Sequence, residues 1–170
     1  SSDMQAFTVG VNLGTTAGAV VFQNEIFQLI QYQPLTPKVL AVPLLIVPPC
    51  VNKFYAFDLN EQKSFVKYLL EQGHNVFMVS WRNPHPGTTS HGWDDYVFDG
   101  VHKAVELACE VGGSAKVNLM AWCIGGALSV SALSVMTPAE KKRIASATFL
   151  TTLVDYSDHG DVGIFVDGPQ

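Results

Sequence analysis

The order of apolar and polar residues predicts an α/β domain: a mainly parallel sheet with helices on both faces. Two observations carry this expectation. Short apolar runs such as Val42-Pro43-Leu44-Leu45-Ile46-Val47 and Asn75-Val76-Phe77-Met78-Val79-Ser80-Trp81 have the length and composition of strands buried on both sides. Between such runs lie stretches with apolar residues at helical spacing. Strand and helix therefore alternate, as right-handed crossovers between parallel strands require.

Taken in order, Val20 to Tyr32, broken at Asn24-Glu25, reads as two short strands in an antiparallel edge hairpin. The next strand, ending at Val47, is stopped by Pro48-Pro49. A helix follows, with Asp58 and Glu61 spaced as a capping box and Asn60 as a competing N-cap. Phe65, Val66, Leu69 and Leu70 recur at helical spacing up to Gly73, a natural C-cap. The strand through Trp81 runs into Asn83-Pro84-His85-Pro86-Gly87, which is a loop. From Asp94 onward Tyr96, Val97, Val101, Ala104, Val105 and Ala108 form the apolar stripe of a second helix that ends at Gly112-Gly113. Val117 to Trp122 is a strand, Gly125 to Met136 a helix, and Ile144 to Leu153 a further strand. With no closing helix before Gly168-Pro169-Gln170, residues 1–170 read as the N-terminal portion of one larger domain.

Composition narrows the function classes. A chain of 170 residues that is 48% hydrophobic and 15% charged is long and apolar enough to pack a core. Its net charge of -5, without a dense Lys/Arg run, argues against nucleic acid as a partner. Prolines and charges interrupt every apolar run before it could span a bilayer. The start, Ser1-Ser2-Asp3-Met4, shows no secretory signal, and three widely spaced cysteines fit a reducing, cytoplasmic setting better than a disulfide framework or a zinc site. No glycine-rich phosphate loop opens a helix, since Gly112-Gly113-Ser114 ends one; neither a cofactor nor a metal is expected.

The strongest local signal is Leu119-Met120-Ala121-Trp122-Cys123-Ile124-Gly125-Gly126, a strand that delivers a cysteine into a tight turn and straight into a helix. This is a nucleophile elbow of the α/β-hydrolase fold with Cys in place of Ser and Ala121 in place of the first Gly. The turn crowds the residues two before and two after the nucleophile, and Ala121 and Gly125 are both small. An oxyanion hole needs two backbone N–H donors aimed at one point. Ile124, just after Cys123, supplies one; the other belongs to the loop Pro48-Pro49-Cys50-Val51-Asn52, where neither proline has an N–H and Val51 is favoured. The other two cysteines read more simply, Cys50 as a neighbour of the pocket and Cys109 as core.

At this point the sequence resembles the polyhydroxyalkanoate synthases, over essentially its whole length. The likeness is carried by Leu29-Ile30-Gln31-Tyr32-Gln33-Pro34, the run Pro43 to Pro49, Val51-Asn52-Lys53, Gln72-Gly73-His74, Ser80-Trp81-Arg82-Asn83-Pro84, Asp95-Tyr96 and the box from Ala121 to Gly126. Thr148 to Thr152, Asp155-Tyr156-Ser157 and Gly163 to Asp167 continue it. The resemblance implies an acyltransferase, of the short-chain class I type, that polymerises (R)-3-hydroxyacyl-CoA through an acyl thioester on Cys123 and releases CoA. It implies a chain ending near the start of a cap region, a growing polyester as product, a homodimer in the complete enzyme and a cytoplasmic location at the polymer granule surface.

In this fold the acid and the His follow the nucleophile on later loops. His159 comes one strand after Cys123, too early for the base, and reads as a polar turn residue; His74, His85, His91 and His102 all precede the nucleophile and read as surface, loop or helix residues. Asp155, Asp158 and Asp161 read as solvated turn residues and caps. The expectation is thus a chain that carries the nucleophile without its Asp and His and is inactive alone. A cysteine hydrolase of thioesters and an inactive interaction fragment are the competing readings. The product separates the first, insoluble polyester against free hydroxy acid, and titration of Cys123 with an electrophile separates the second.

Overall fold

The computed structural model describes residues 16–49, 65–82, 91–122 and 124–150. At its centre is a six-stranded sheet in the order β1-β2-β4-β3-β5-β6. The strands are β1 Gly18–Gln23, β2 Phe27–Tyr32, β3 Leu44–Val47, β4 Val76–Trp81, β5 Val117–Trp122 and β6 Ile144–Leu150. β1 and β2 form the expected antiparallel hairpin, β2 runs antiparallel to β4, and β4, β3, β5 and β6 are parallel.

Asn24 organises the hairpin turn. Its side-chain oxygen accepts the N–H groups of Ile26 and Phe27 at 2.9 and 3.0 Å, and its side-chain amide donates to the carbonyl of Asp99 at 2.8 Å. Arg82 donates to the Asn24 carbonyl at 3.0 Å. A short polar side chain thus satisfies the turn and ties the hairpin to the neighbouring helix.

Period-two alternation sorts the strand residues between two cores. Phe27, Leu29, Leu45, Val47, Phe77, Val79, Leu119 and Ala121 face one side and pack with Val97, Val101, Val105, Leu128 and Ala132. Leu44, Ile46 and Val76 face the other and pack with Val66, Leu69 and Leu70. Burying each large side chain completely contributes about 1.5–3 kcal/mol, which explains why the central strands are apolar on both sides.

The helices on the first side are α2 (Trp93–Asp95), a π-helical segment (Tyr96–His102), α3 (Lys103–Gly112) and α4 (Ile124–Ser134). A helix over residues 65–71, α1, covers the second side. Helices on both faces of a mainly parallel sheet bear out the expected class. α1 is followed by Gly73 at φ 86° and α3 by Gly113 at φ 65°, a left-handed conformation that glycine adopts without a Cβ penalty.

Three details depart from the sequence reading. The helix expected from Asp94 starts at Trp93 and passes through the π segment before becoming α3. The helix expected over Gly125 to Met136 opens at Ile124 and closes at Ser134. A short helix, α5 (Pro138–Lys141), follows it, started by a reciprocal cap in which Thr137 Oγ1 accepts from the Glu140 N–H and Glu140 Oε2 from the Thr137 N–H, each at 3.2 Å. The Asp58/Glu61 cap, the loop Asn83 to Gly87 and the end of the last strand beyond Leu150 lie outside the described residues.

Candidate active site

The two segments expected to form the site leave the sheet from adjacent strand ends. Val47, the last residue of β3, pairs with Ala121, two residues before Cys123. In a parallel sheet the crevice beyond the carboxyl ends of the strands is where ligands bind. Here that end belongs to β3, which Pro48-Pro49 follow, and to β5, after which α4 opens.

Strand β5 ends at Trp122 and helix α4 begins at Ile124, leaving one residue between them. That residue is Cys123, which lies outside the described residues, as do Cys50 and Val51. Of the expected oxyanion pair, Ile124 opens α4, and its backbone N–H is therefore among the first-turn donors that have no partner within the helix. Ala121, two places before the cysteine, is fully buried. Gly126 is less demanding: a Cβ there would meet Phe149 at 3.6 Å, an ordinary contact.

On the second face, Trp122 meets Phe65 edge to face, with centroids 5.4 Å apart at 72°. Tyr32 lies in the same aromatic group, its hydroxyl 3.6 Å from Met78 Sδ, and burial pushes its pKa up. Cys109, on α3, is a buried free thiol whose pKa is pushed up by burial and partly brought back by Arg143. It is a core residue, as its position on the helix stripe suggested.

Trp81 is the contributor that sequence reasoning left without a role. Its indole Nε1 donates to the Pro48 carbonyl at 2.8 Å, so a side chain of β4 holds the first residue beyond β3. A Trp at the end of a buried strand needs an acceptor for its N–H, and that need was the available signal.

The histidines divide by location. His74 precedes β4 and so stands at the opposite end of the sheet from the strand exits; its Nδ1 is buried with no partner among the described residues. His91 faces Asp95 at 3.9 Å. His102 contacts the Ala132 carbonyl at 2.7 Å and Glu140 at 3.8 Å. His85, His159, Asp155, Asp158 and Asp161 lie outside the described residues. Among the described residues no His, Cys, Asp and Glu side chains gather as a metal-holding group, and no helix is long and apolar enough to cross a membrane.

This strand order, with α4 opening one residue after β5 ends, defines the class, and residues 43–163 match the family described as alpha/beta hydrolase fold, to which the chain belongs. Residues 1–69 match a second family, described as Poly-beta-hydroxybutyrate polymerase (PhaC) N-terminus. The chain is 48% identical over 166 residues to the poly(3-hydroxyalkanoate) polymerase subunit PhaC of Cupriavidus necator, covering 98% of this chain and 28% of that relative. It is 43% identical over 169 residues to the PhaC subunit of Rhizobium etli, covering 99% of this chain and 27% of the relative. It is also 45% identical over 167 residues to poly(3-hydroxyalkanoate) polymerase 2 of Ectopseudomonas oleovorans, covering 97% and 30%.

The chain thus spans less than a third of the length of these curated relatives. Among solved structures it is similar to a sugar hydrolase (YeeB) from Lactococcus lactis, with a TM-score of 0.58 and 13% identity over 88% of this chain and 61% of that one. It is similar as well to epoxide hydrolase A from Mycobacterium thermoresistibile, with a TM-score of 0.52 and 12% identity over 79% and 39%. At such identities these likenesses bear on the fold alone.

Proposed function

We propose that this chain carries the nucleophile portion of an acyltransferase that polymerises (R)-3-hydroxyacyl-CoA into polyhydroxyalkanoate, with Cys123 as the attacking thiol. The observation that supports it most is 48% identity to a polyhydroxyalkanoate polymerase along 98% of the chain, with Cys123 in the single position between β5 and α4. In this reading the Cys123 thiolate adds to the thioester carbonyl, and the oxyanion is held by the N–H groups of Ile124 and Val51. The intermediate collapses by expelling the CoA thiolate, which takes a proton from the catalytic His. Exchange of one thioester for another is nearly isoenergetic, so the acyl group stays activated. The 3-hydroxyl of another acyl unit, losing its proton to the His, then attacks this thioester, forms the polymer ester and frees the cysteine.

The Asp and His that complete the triad are assigned outside these 170 residues. The helix end at Ile124 favours the thiolate of the residue before it, as the positive end of a helix dipole does. The same reading carries a homodimeric complete enzyme and association with a cytoplasmic polyester granule.

The test is incubation of the full-length protein with (R)-3-hydroxybutyryl-CoA, following CoA release and product. Insoluble polyester is expected from the wild type. Cys123→Ala is expected to release no CoA while unfolding at the same temperature. Free hydroxy acid as the only product would turn the assignment to a thioesterase, and polymer from Cys123→Ala would remove this residue from the mechanism.

A further inference from the structure

We infer that Trp81 is a positioning residue for the acyl transfer proposed above: its indole N–H fixes the point at which the chain leaves β3 for the oxyanion donor assigned to Val51. The ladder between β3 and β4 ends at Ile46 and Met78, and that between β3 and β5 ends at Val47 and Ala121. The Pro48 carbonyl lies beyond both, and Trp81 Nε1 reaches it at 2.8 Å. Neither Pro48 nor Pro49 has an N–H with which to extend either ladder. The indole bond therefore holds the chain just beyond the end of both ladders.

The donor is itself held firmly. Tyr96 meets the indole edge to face at 5.6 Å, and Phe27 does so at 6.4 Å. Gly100 lies against the same ring: a Cβ added there would stand 2.8 Å from Trp81 Cζ3 and 3.1 Å from Cη2. Tyr96 and Gly100 both belong to the π segment, so this local widening of the helix seats the ring. A backbone donor in an oxyanion hole is useful only when it is aimed before the charge develops. A rigid ring bonded to the carbonyl three residues upstream of Val51 sets that aim without touching the substrate.

The experiment compares two reactions of Cys123 in the full-length protein: single-turnover acylation by (R)-3-hydroxybutyryl-CoA and alkylation by iodoacetamide. Alkylation attacks a saturated carbon, builds no oxyanion and does not need the donor. Trp81→Phe, which keeps a ring and loses the N–H, is expected to slow acylation about tenfold, the scale of one net hydrogen bond, with kcat moving more than KM and alkylation within about twofold of wild type. Gly100→Ala, which crowds the ring but keeps the indole, is expected to show the same split and serves if Trp81→Phe does not fold. Acylation at the wild-type rate in a folded variant overturns the inference, and so does an equal fall in both reactions. Absence of Cys123-dependent CoA release from the wild type overturns the acyl-transfer reading itself, whereas loss of the split alone leaves that reading standing.

Discussion

His102 Nε2 lies 2.7 Å from the carbonyl oxygen of Ala132, so a side chain of the π segment closes the end of α4. A carbonyl offers no proton, and Nε2 must therefore carry the N–H. The Met136 N–H, which would continue the helix to Ala132, goes to Leu133 at 3.3 Å. Ala132 is thus one of the carbonyls that a helix end leaves over, and His102 satisfies it. The ring also stands edge to face with Phe98 at 5.2 Å.

His102→Phe is expected to keep most of this packing and lose the bond, lowering stability by about 0.5–1.5 kcal/mol. His102→Ala loses the packing as well and should unfold earlier still. Urea denaturation of the two variants beside wild type measures both steps. An unchanged midpoint for His102→Phe would mean that water replaces the imidazole at no cost.

A second expectation concerns which thiol reacts. Burial raises the Cys109 pKa, and the thiolate is the nucleophile, so Cys109 stays protonated and slow near neutral pH. In a Cys50→Ser background, labelling by an electrophile at pH 7 is expected to proceed at an unchanged rate after Cys109→Ser and to vanish after Cys123→Ala. A large fall in labelling on removing Cys109 would show that the helix stripe opens readily enough to expose it.

Tyr32 gives a third. Its folded pKa is raised by burial above the value of about 10 expected in the unfolded chain, so the folded state holds the phenolic proton more tightly. That contribution is complete below about pH 10 and is lost as the pH rises through the folded value. Tyr32→Phe is expected to change stability little at neutral pH, since the hydroxyl's bond is a weak one to sulfur at 3.6 Å, and to move the alkaline unfolding limb upward. Identical alkaline limbs in thermal melts of the two proteins would remove Tyr32 as their cause.

How far the sequence revealed these features depends on how local each one is. The run Leu44 to Val47 announces its strand because both of its faces are buried, and β5 announces its own because fully buried residues alternate with partly buried ones. Gly73 and Gly113 announce helix ends because few other residues adopt their backbone angles. The passage from β5 into α4 was readable because an apolar run ending at Trp122 meets the small residues Gly125 and Gly126, and the strand ends and the helix opens there. The π segment was not, because its buried Val97 and Val101 continue into Val105 of α3 at the spacing of an ordinary amphipathic helix. α5 is a four-residue element, too short to show a period. The bond from Trp81 to Pro48 joins positions 33 residues apart, and no local pattern encodes such a pairing.

The sorting of β3, β4 and β5 side chains between two separate cores bears on how this protein tolerates change. Leu45 and Ile46 are neighbours in the chain, yet one packs toward α3 and α4 and the other toward α1. Residues well apart on the two sides share neither backbone nor packing partners, and their energies add, whereas an adjacent pair such as Leu45 and Ile46 couples through the backbone alone. Each side can then be repacked as an independent problem, whereas two changes on one side must be chosen together. The wall on which Trp122 and Phe65 meet can thus accumulate variation in its own right, while the opposite wall keeps Trp81 and the exit of β3 in register.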